Sequence, residues 1–223
     1  MNTHFEGIKL LQGEKGYRVT QDSVLLANFV DCNFSLPLID LGTGSGIIPL
    51  LISNRCKDKK YYGIELDRAS FEIAKKNVIL NEKEDKIEII HGDIKDVGDF
   101  FAPDTFDVVV SNPPYYGRDE GFMSPDPGKK LAKTEIKADL SLIFKSAFYL
   151  LREKGSLYLI YPSKKLQTLF LMARRFQFTP KKMRFIHYNI TRDGELFLIK
   201  LGKRTKEGLI VGPPVIIEER KDL

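Results

Sequence analysis

The chain has 223 residues, 43% of them hydrophobic, which suits one globular domain with a full core. Its 35 Lys and Arg residues exceed its 30 Asp and Glu residues only mildly, so the composition allows an anionic partner such as nucleic acid without requiring one. No apolar stretch reaches about 18 residues and the segment from Met1 to Gly7 has no signal-peptide pattern, so we expect a cytoplasmic protein without a membrane span.

Potential metal ligands are few and scattered. Cys32 and Cys56 do not have C-x-x-C spacing, and we expect both to be reduced thiols in the core. The histidines, His4, His91 and His187, are equally dispersed. We therefore predict that the protein binds no metal.

Residues 1–36 are predicted to form a lead-in made of a short hairpin and a helix. Thr20 is a good N-cap, and Asp22 suits the first turn of the helix that follows it. Pro37 ends this segment.

Strands and helices then alternate over residues 37–206. The predicted strands are 38–41, 61–65, 87–91, 106–111, 155–161, 183–188 and 196–201; the predicted helices are 47–54, 68–81, one with helical spacing over 140–151, and one capped by Ser163. A loop rich in Gly, Pro and Lys is predicted over 117–137, and within the tail 207–223 the stretch 209–219 could add an edge strand.

This alternation predicts an α/β fold with a doubly wound, mostly parallel, seven-stranded sheet. The last two predicted strands are joined by only seven residues, too few for a crossover helix, so we expect them to be antiparallel neighbours. We expect the whole of 1–223 to be a single domain.

The first strand-to-helix turn contains Gly42, Gly44 and Gly46, and glycines let a backbone approach a ligand closely. A carboxylate, Glu65, follows at the end of the next strand, 21 residues after Gly44. It could accept hydrogen bonds from both hydroxyls of a ribose. Together these residues predict a site for a nucleoside cofactor.

The pattern G-x-G-x-G differs from the G-x-G-x-x-G of dinucleotide sites. Asp40, just before the turn, would repel a pyrophosphate but suits an ammonium group. S-adenosylmethionine has an ammonium, a ribose and an adenine but no phosphate, and Asp93 could accept from the adenine amine. Alternatively, Asp40 and Asp93 only cap the following helices.

The sequence Asn112-Pro113-Pro114-Tyr115 ends the fourth predicted strand. Prolines cannot continue a central strand, so Asn112 should be held stiffly at the edge where ligands bind in open α/β sheets. The Asn112 side-chain oxygen and the Pro113 carbonyl are two acceptors that could grip both N–H bonds of one planar amine, while Tyr115 stacks on its ring. Alternatively, the motif is a rigid turn with Tyr115 in the core.

Such a grip would orient the amine's lone pair toward the methyl group of a sulfonium. No strong general base is then needed, because the sulfonium is a good leaving group.

These motifs, from Asp40 to Gly46, at Glu65 and Asp93, and from Asn112 to Tyr115, resemble those of the class I S-adenosylmethionine-dependent methyltransferases that modify exocyclic or amide nitrogens. The resemblance implies a Rossmann-like fold, cofactor binding by the glycine turn and Glu65, and capture of the target nitrogen by Asn112.

The stretch from Tyr17 to Ala27 is similar to the lead-in of one subgroup, the bacterial tRNA adenine-N6 methyltransferases that act beside the anticodon of a valine tRNA. That resemblance implies that Thr20 and Asp22 lie over the methionine end of the cofactor, and that tRNA is the partner.

Four alternatives stay open. Glutamine methyltransferases of release factors share the tetrapeptide but usually carry a helical domain first, and only 39 residues precede Asp40 here. Ribosomal RNA guanine-N2 enzymes usually have Phe in place of Tyr115, and DNA adenine enzymes commonly need an added recognition domain. A non-enzymatic RNA-binding module with a vestigial nucleoside site is the fourth.

Basic residues after the tetrapeptide and around the last strands could contact phosphates. They are Lys129, Lys130, Lys133, Lys137, Arg174, Arg175, Lys181, Lys182, Arg184, Lys203, Arg204 and Lys206. Tyr116, Arg118 and Phe122 could form part of a base pocket. We expect a monomer that binds an adenine splayed out of a single-stranded loop.

Overall fold

The structure is a computed structural model that describes the backbone of residues 2–5, 7–11, 21–113 and 129–217, and the side chains of 7–11, 21–113 and 140–217. Its strands are β1 Asn2–Phe5, β2 Ile8–Leu11, β3 Leu38–Leu41, β4 Tyr61–Glu65, β5 Ile87–His91, β6 Phe106–Ser111, β7 Leu151–Pro162, β8 Phe178–His187, β9 Leu196–Lys203, β10 Ile210–Val211 and β11 Val215–Ile216. Its α-helices are α1 Gln21–Phe29, α2 Ile47–Arg55, α3 Arg68–Leu80, α4 Lys129–Leu150 and α5 Leu166–Arg175.

The central sheet has the strand order β10-β8-β9-β7-β6-β3-β4-β5, and β11 also pairs with β8. Strands β3 to β7 pair in parallel, whereas β9 is antiparallel to both of its neighbours. The chain order reverses between β3 and β6, which makes their carboxyl ends the switch point of a doubly wound sheet. The predicted fold class is therefore confirmed, and the tail adds two edge strands.

Two apolar layers cover the sheet. One contains side chains of α1 and α2, such as Leu26 and Leu50, and the other contains side chains of α4 and α5, such as Phe144 and Leu169. None of the helices in the described part of the chain is long and apolar enough to cross a membrane.

Four predicted boundaries are wrong by three residues or more. Strand β8 begins at Phe178 and not at the predicted residue 183. Helix α4 already begins at Lys129, inside the predicted 117–137 loop, because the Gly and Pro residues of that stretch all lie before it. Strand β7 begins at Leu151, which the helical spacing had included, because an irregular register with β6 lengthens the pairing. Ser163 opens a short 3₁₀ turn and its side chain makes no cap bond, so α5 starts only at Leu166.

A buried amide connects the lead-in to the core. Asn77 of α3 is fully buried, and its side chain accepts from the Leu11 amide at 2.7 Å and donates to the Ser45 carbonyl at 2.9 Å. Because Ser45 belongs to the glycine turn, Asn77 holds β2 and that turn in one hydrogen-bonded unit.

The prediction of two reduced cysteines is wrong, because Cys32 and Cys56 form a disulfide with their Cα atoms 5.2 Å apart. Cys32 follows α1 and Cys56 is the C-cap of α2. The packing of α1 against α2 brings the two cysteines together, and this packing could not be predicted from their spacing in the sequence.

Replacing both cysteines with serine should lower the free energy of unfolding by about 3 kcal/mol, because the crosslink restricts the unfolded chain over a separation of 24 residues. Urea unfolding with and without a reductant checks this. Reductant should destabilise the natural protein and leave the double-serine variant unchanged. Rapid alkylation of both thiols in the native protein without reductant would contradict the crosslink.

Candidate active site

The glycine turn and the Asn112 motif meet at the carboxyl edge of the sheet. Strands β3 and β6 are parallel neighbours, with Asp40 paired to Val110. The Ser111 hydroxyl, which is buried, donates to the Leu41 carbonyl at 2.8 Å. Since Leu41 precedes Gly42 and Ser111 precedes Asn112, this bond fixes the two motifs side by side.

The three glycines of the turn all have left-handed backbone conformations, with φ of 76° at Gly42, 56° at Gly44 and 78° at Gly46. A Cβ atom at Gly42 or Gly44 would meet nothing within 4 Å, so the turn borders open space there. A Cβ atom at Gly46 would lie 3.3 Å from the Cβ of Ala74. The first two glycines therefore leave room for a ligand, while the third lets α2 pack closely against α3.

Asp40 is fully buried beneath the turn. Its Oδ2 accepts from the Thr43 hydroxyl at 2.8 Å, and its Oδ1 is buried without a hydrogen-bond partner in the described part of the structure. Burial raises the pKa of Asp40 to about 7, the Thr43 bond opposes this rise, and Glu65 adds to it. A buried acceptor of this kind fits an ammonium group, so the alternative of a simple helix cap is less suitable.

Glu65 lies at the carboxyl end of β4, facing the same turn. Its Oε2 accepts from the Gly44 amide at 2.8 Å and its Oε1 accepts from the Asp67 amide at 2.9 Å. These bonds hold the carboxylate in place, and each oxygen has a second lone pair that could accept from a ribose hydroxyl.

Asp93 follows β5, and both of its carboxylate oxygens contact Lys95. Its Oδ1 accepts from the Lys95 amide at 2.9 Å as a helix cap, and its Oδ2 pairs with the Lys95 ammonium at 3.0 Å. Burial alone would raise the pKa of Asp93, but the Lys95 contacts outweigh it and the pKa is lowered. The capping alternative is therefore present, and a bond from Asp93 to an adenine stays a prediction.

Asn112 is half-buried beside the turn and Pro113 is buried. The Asn112 Nδ2 donates to the hydroxyl of Ser23, a buried residue of α1, at 3.0 Å. This bond restrains the orientation of the carboxamide.

The structure describes only part of the predicted site. It brings together Asp40, Gly42, Gly44, Gly46, Glu65, Asn112 and Pro113, and it places Asp22 half-buried in the first turn of α1. Thr20, Tyr115, Tyr116 and Arg118 lie outside the described residues, and Lys129 and Lys130 are described as helical backbone only. Among the described residues, no group of His, Cys, Asp or Glu could hold a metal ion.

Sequence reasoning does not identify Ser23, whose hydroxyl contacts the Asn112 carboxamide, or Ser111, whose hydroxyl joins the ends of β6 and β3. Ser111 is the polar end of the apolar run that begins at Phe106, and Ser23 precedes the apolar residues of α1. A lone hydroxyl at the end of an apolar run was the available signal, but it does not tell which partner the hydroxyl contacts.

A doubly wound sheet with one antiparallel strand, a glycine turn over a buried acid, and a carboxamide beside that turn define a Rossmann-like methyltransferase. The chain belongs to the methyltransferase small domain family, whose model matches residues 16–192. It is an S-adenosylmethionine-dependent enzyme.

Two relatives are each named as a tRNA1(Val) (adenine(37)-N6)-methyltransferase. The protein from Porphyromonas gingivalis is 32% identical, over 74% of this chain and 67% of its own length. The protein from Phocaeicola vulgatus is 29% identical, over 76% of this chain and 70% of its own length.

Solved structures show the same fold. A predicted O-methyltransferase from Agrobacterium tumefaciens superposes with a TM-score of 0.71 at 20% identity, covering 91% of this chain and 90% of that chain. TrmN from Thermus thermophilus superposes with a TM-score of 0.59 at 18% identity, covering 81% of this chain and 48% of that chain.

Binding of S-adenosylhomocysteine, which carries the cofactor's ammonium, should strengthen as the pH rises toward about 7 and then level off, because the ammonium needs Asp40 ionised. The stability of the ligand-free protein depends on pH in the opposite direction. The pKa of Asp40 in the folded protein, about 7, lies above its value of 3.8 in the unfolded chain. The contribution of Asp40 to the free energy of unfolding is therefore lost as the pH rises from about 4 to about 7. Asp40→Asn should therefore bind the ligand at least tenfold more weakly, yet melt a few degrees higher at pH 8.

Calorimetric titration and thermal melts between pH 5.5 and 8 measure both effects, with Asp99→Asn, which changes an exposed carboxylate outside the site, as the control. An Asp40→Asn variant that keeps the pH dependence of ligand binding would show that another group causes it.

Proposed function

We propose that this enzyme transfers the methyl group of S-adenosylmethionine to the exocyclic N6 amine of an adenine in the anticodon loop of a tRNA. The observation that carries the proposal is the position of the Asn112 carboxamide, fixed by Ser23 and set beside the glycine turn through the Ser111–Leu41 bond. The names of the relatives supply the acceptor, and a tRNA acceptor would place the enzyme in the cytoplasm.

On the cofactor side, Asp40 would accept from the ammonium through its buried Oδ1, and the Glu65 carboxylate would accept from the ribose hydroxyls. Gly42 and Gly44 would let the backbone approach the ligand. The proposal also assigns Asp22 and Thr20 to the methionine end, and Asp93 to the adenine if the Lys95 pair opens. When bound, the sulfonium supplies an electrophilic methyl group and a good leaving group.

On the acceptor side, the amine of an adenine is a weak nucleophile because its lone pair is delocalised into the ring. The Asn112 Oδ1 and the Pro113 carbonyl would accept its two N–H bonds and favour the geometry in which the lone pair faces the methyl group. In the proposal Tyr115 stacks on the base, Tyr116 and Arg118 line its pocket, and Lys129 and Lys130 contact phosphates. The assignments of these five residues rest on the sequence.

The acceptor is tested by incubating the enzyme with tritium-labelled cofactor and bulk tRNA and digesting the product to nucleosides. Label should appear as N6-methyladenosine. Asn112→Ala should lower the rate at least 100-fold, roughly the loss of one donor or acceptor aimed at a transition state, whereas Asn54→Ala, an exposed asparagine of α2, should not change it.

Label in a methylated guanosine would instead favour ribosomal RNA chemistry. Transfer to a release-factor glutamine, with none to RNA, would replace the proposal with protein methylation. No turnover with any acceptor would favour the non-enzymatic module.

Ser23→Ala should lower kcat about five- to tenfold, because the carboxamide loses one neutral hydrogen bond worth about 1 kcal/mol that sets its orientation. The dissociation constant of S-adenosylhomocysteine should not change, since Ser23 is assigned no cofactor contact. Ser53→Ala is the control, because it removes another buried hydroxyl, which donates to the Leu50 carbonyl of its own helix. Equal losses of kcat in both variants would show a general packing effect and not positioning of Asn112.

A further inference from the structure

A cavity of about 450 Å³ is lined by residues of α1 and the segment after it, by the end of α2, and by strands β8, β9 and β11. We call it the α1 pocket. Phe29, Leu198 and Val215 give it apolar walls, and Asp31, Lys182 and Arg184 give it charged ones. None of these residues belongs to the site described above.

The carboxylate of Asp31 in the α1 pocket forms ion pairs with two lysines. The Asp31 side chain accepts from the Lys200 ammonium at 2.9 Å, lies 3.5 Å from that of Lys182, and also accepts from the Tyr158 hydroxyl at 3.2 Å. The Lys182 side chain is 41% exposed and its ammonium lies 5.3 Å from the centre of the Phe29 ring, so it stays within reach of a ligand.

Two arginines of the pocket are held by neutral groups. The Arg55 guanidinium donates to the Ala27, Asn28 and Val30 carbonyls, at 2.7, 2.9 and 2.5 Å respectively. The Arg184 guanidinium donates to the Pro213 carbonyl at 2.7 Å.

These bonds fix both guanidinium groups without cancelling their charge. Within the described ranges, no carboxylate lies within 4.0 Å of either one. Among the described residues that line the pocket, Asp31 is the one acid and Arg55, Lys182 and Arg184 are the cations, so the lining has an excess of positive charge.

Helix α1 connects this pocket to the acceptor site. Ser23 holds Asn112 near the start of the helix, and Phe29 lines the pocket at its end. Six residues at 1.5 Å each separate the two by roughly 9 Å along the axis. A nucleotide next to an extruded base would have to cross a distance of this order.

We propose that the α1 pocket binds the sugar-phosphate of a nucleotide flanking the target adenine, with the phosphate on Lys182 and Arg184 and the sugar or base against Phe29. This inference rests on the proposed RNA substrate. Fixed cations beside an apolar wall match a phosphate attached to a flat, partly apolar nucleoside better than they match a free anion. Asp31 weakens this binding, because it partly neutralises the lysines.

The test measures the affinity for a fluorescent anticodon stem-loop RNA by anisotropy, as a function of salt between about 50 and 200 mM. Lys182→Gln should weaken binding three- to tenfold and reduce the slope of log affinity against log salt by about 1, the value for one lost phosphate contact. Asp31→Asn should strengthen binding about threefold or more. Lys76→Gln, which removes an equal charge from the exposed face of α3, should behave like the natural protein.

The two pocket variants are expected to change RNA affinity in opposite directions, whereas a folding defect would weaken binding in both. If the natural protein methylates RNA but Lys182→Gln matches Lys76→Gln, or if Asp31→Asn weakens binding as Lys182→Gln does, the pocket does not bind the RNA. Inorganic phosphate that binds the pocket without competing with the RNA would also overturn the inference. If the natural protein neither binds nor methylates RNA, the proposed function fails and the inference falls with it.

Discussion

The hydrogen bond from the Ser111 hydroxyl to the Leu41 carbonyl is the contact on which the site depends. Both atoms are buried where the strand order reverses, so the bond is shielded from competing water and difficult to replace. It fixes the register in which β3 ends in the glycine turn and β6 ends in Asn112. The sheet thus places the glycine turn and the Asn112 carboxamide, to which the proposal assigns the cofactor and the amine, next to each other.

Near this contact, Asp40 lowers the stability of the free protein and is available for the proposed binding of a ligand ammonium. Asp40 is buried where its charge is costly, as its raised pKa of about 7 shows, and its Oδ1 has no partner in the described part of the chain. In the proposed complex a ligand ammonium would neutralise that charge, so the group that destabilises the free protein would also favour a ligand with an amino-acid end. Asp31 has the opposite effect. It stabilises Lys182 and Lys200 in the free protein and would oppose the binding of a phosphate.

Local patterns predict much of this fold. Strands β3 to β6 begin and end as predicted, because buried parallel strands are short apolar runs with clear turn residues at their ends. Contacts between distant segments could not be predicted in this way. The Cys32–Cys56 bond depends on how α1 packs against α2, and Ser23 reaches Asn112 across 89 residues of sequence. The α1 pocket draws on two helices and three strands, so no window of sequence contains it.

The most direct measurement is a crystal structure with a bisubstrate compound, in which N6 of adenosine is linked covalently to an S-adenosylmethionine analogue. The account predicts that the one N–H left on the linked N6 donates to the Asn112 Oδ1 or to the Pro113 carbonyl oxygen at about 2.7–3.2 Å, with the ammonium of the analogue on Asp40. An adenosine half bound elsewhere, with the Asn112 carboxamide touching no atom of the compound, would contradict the account.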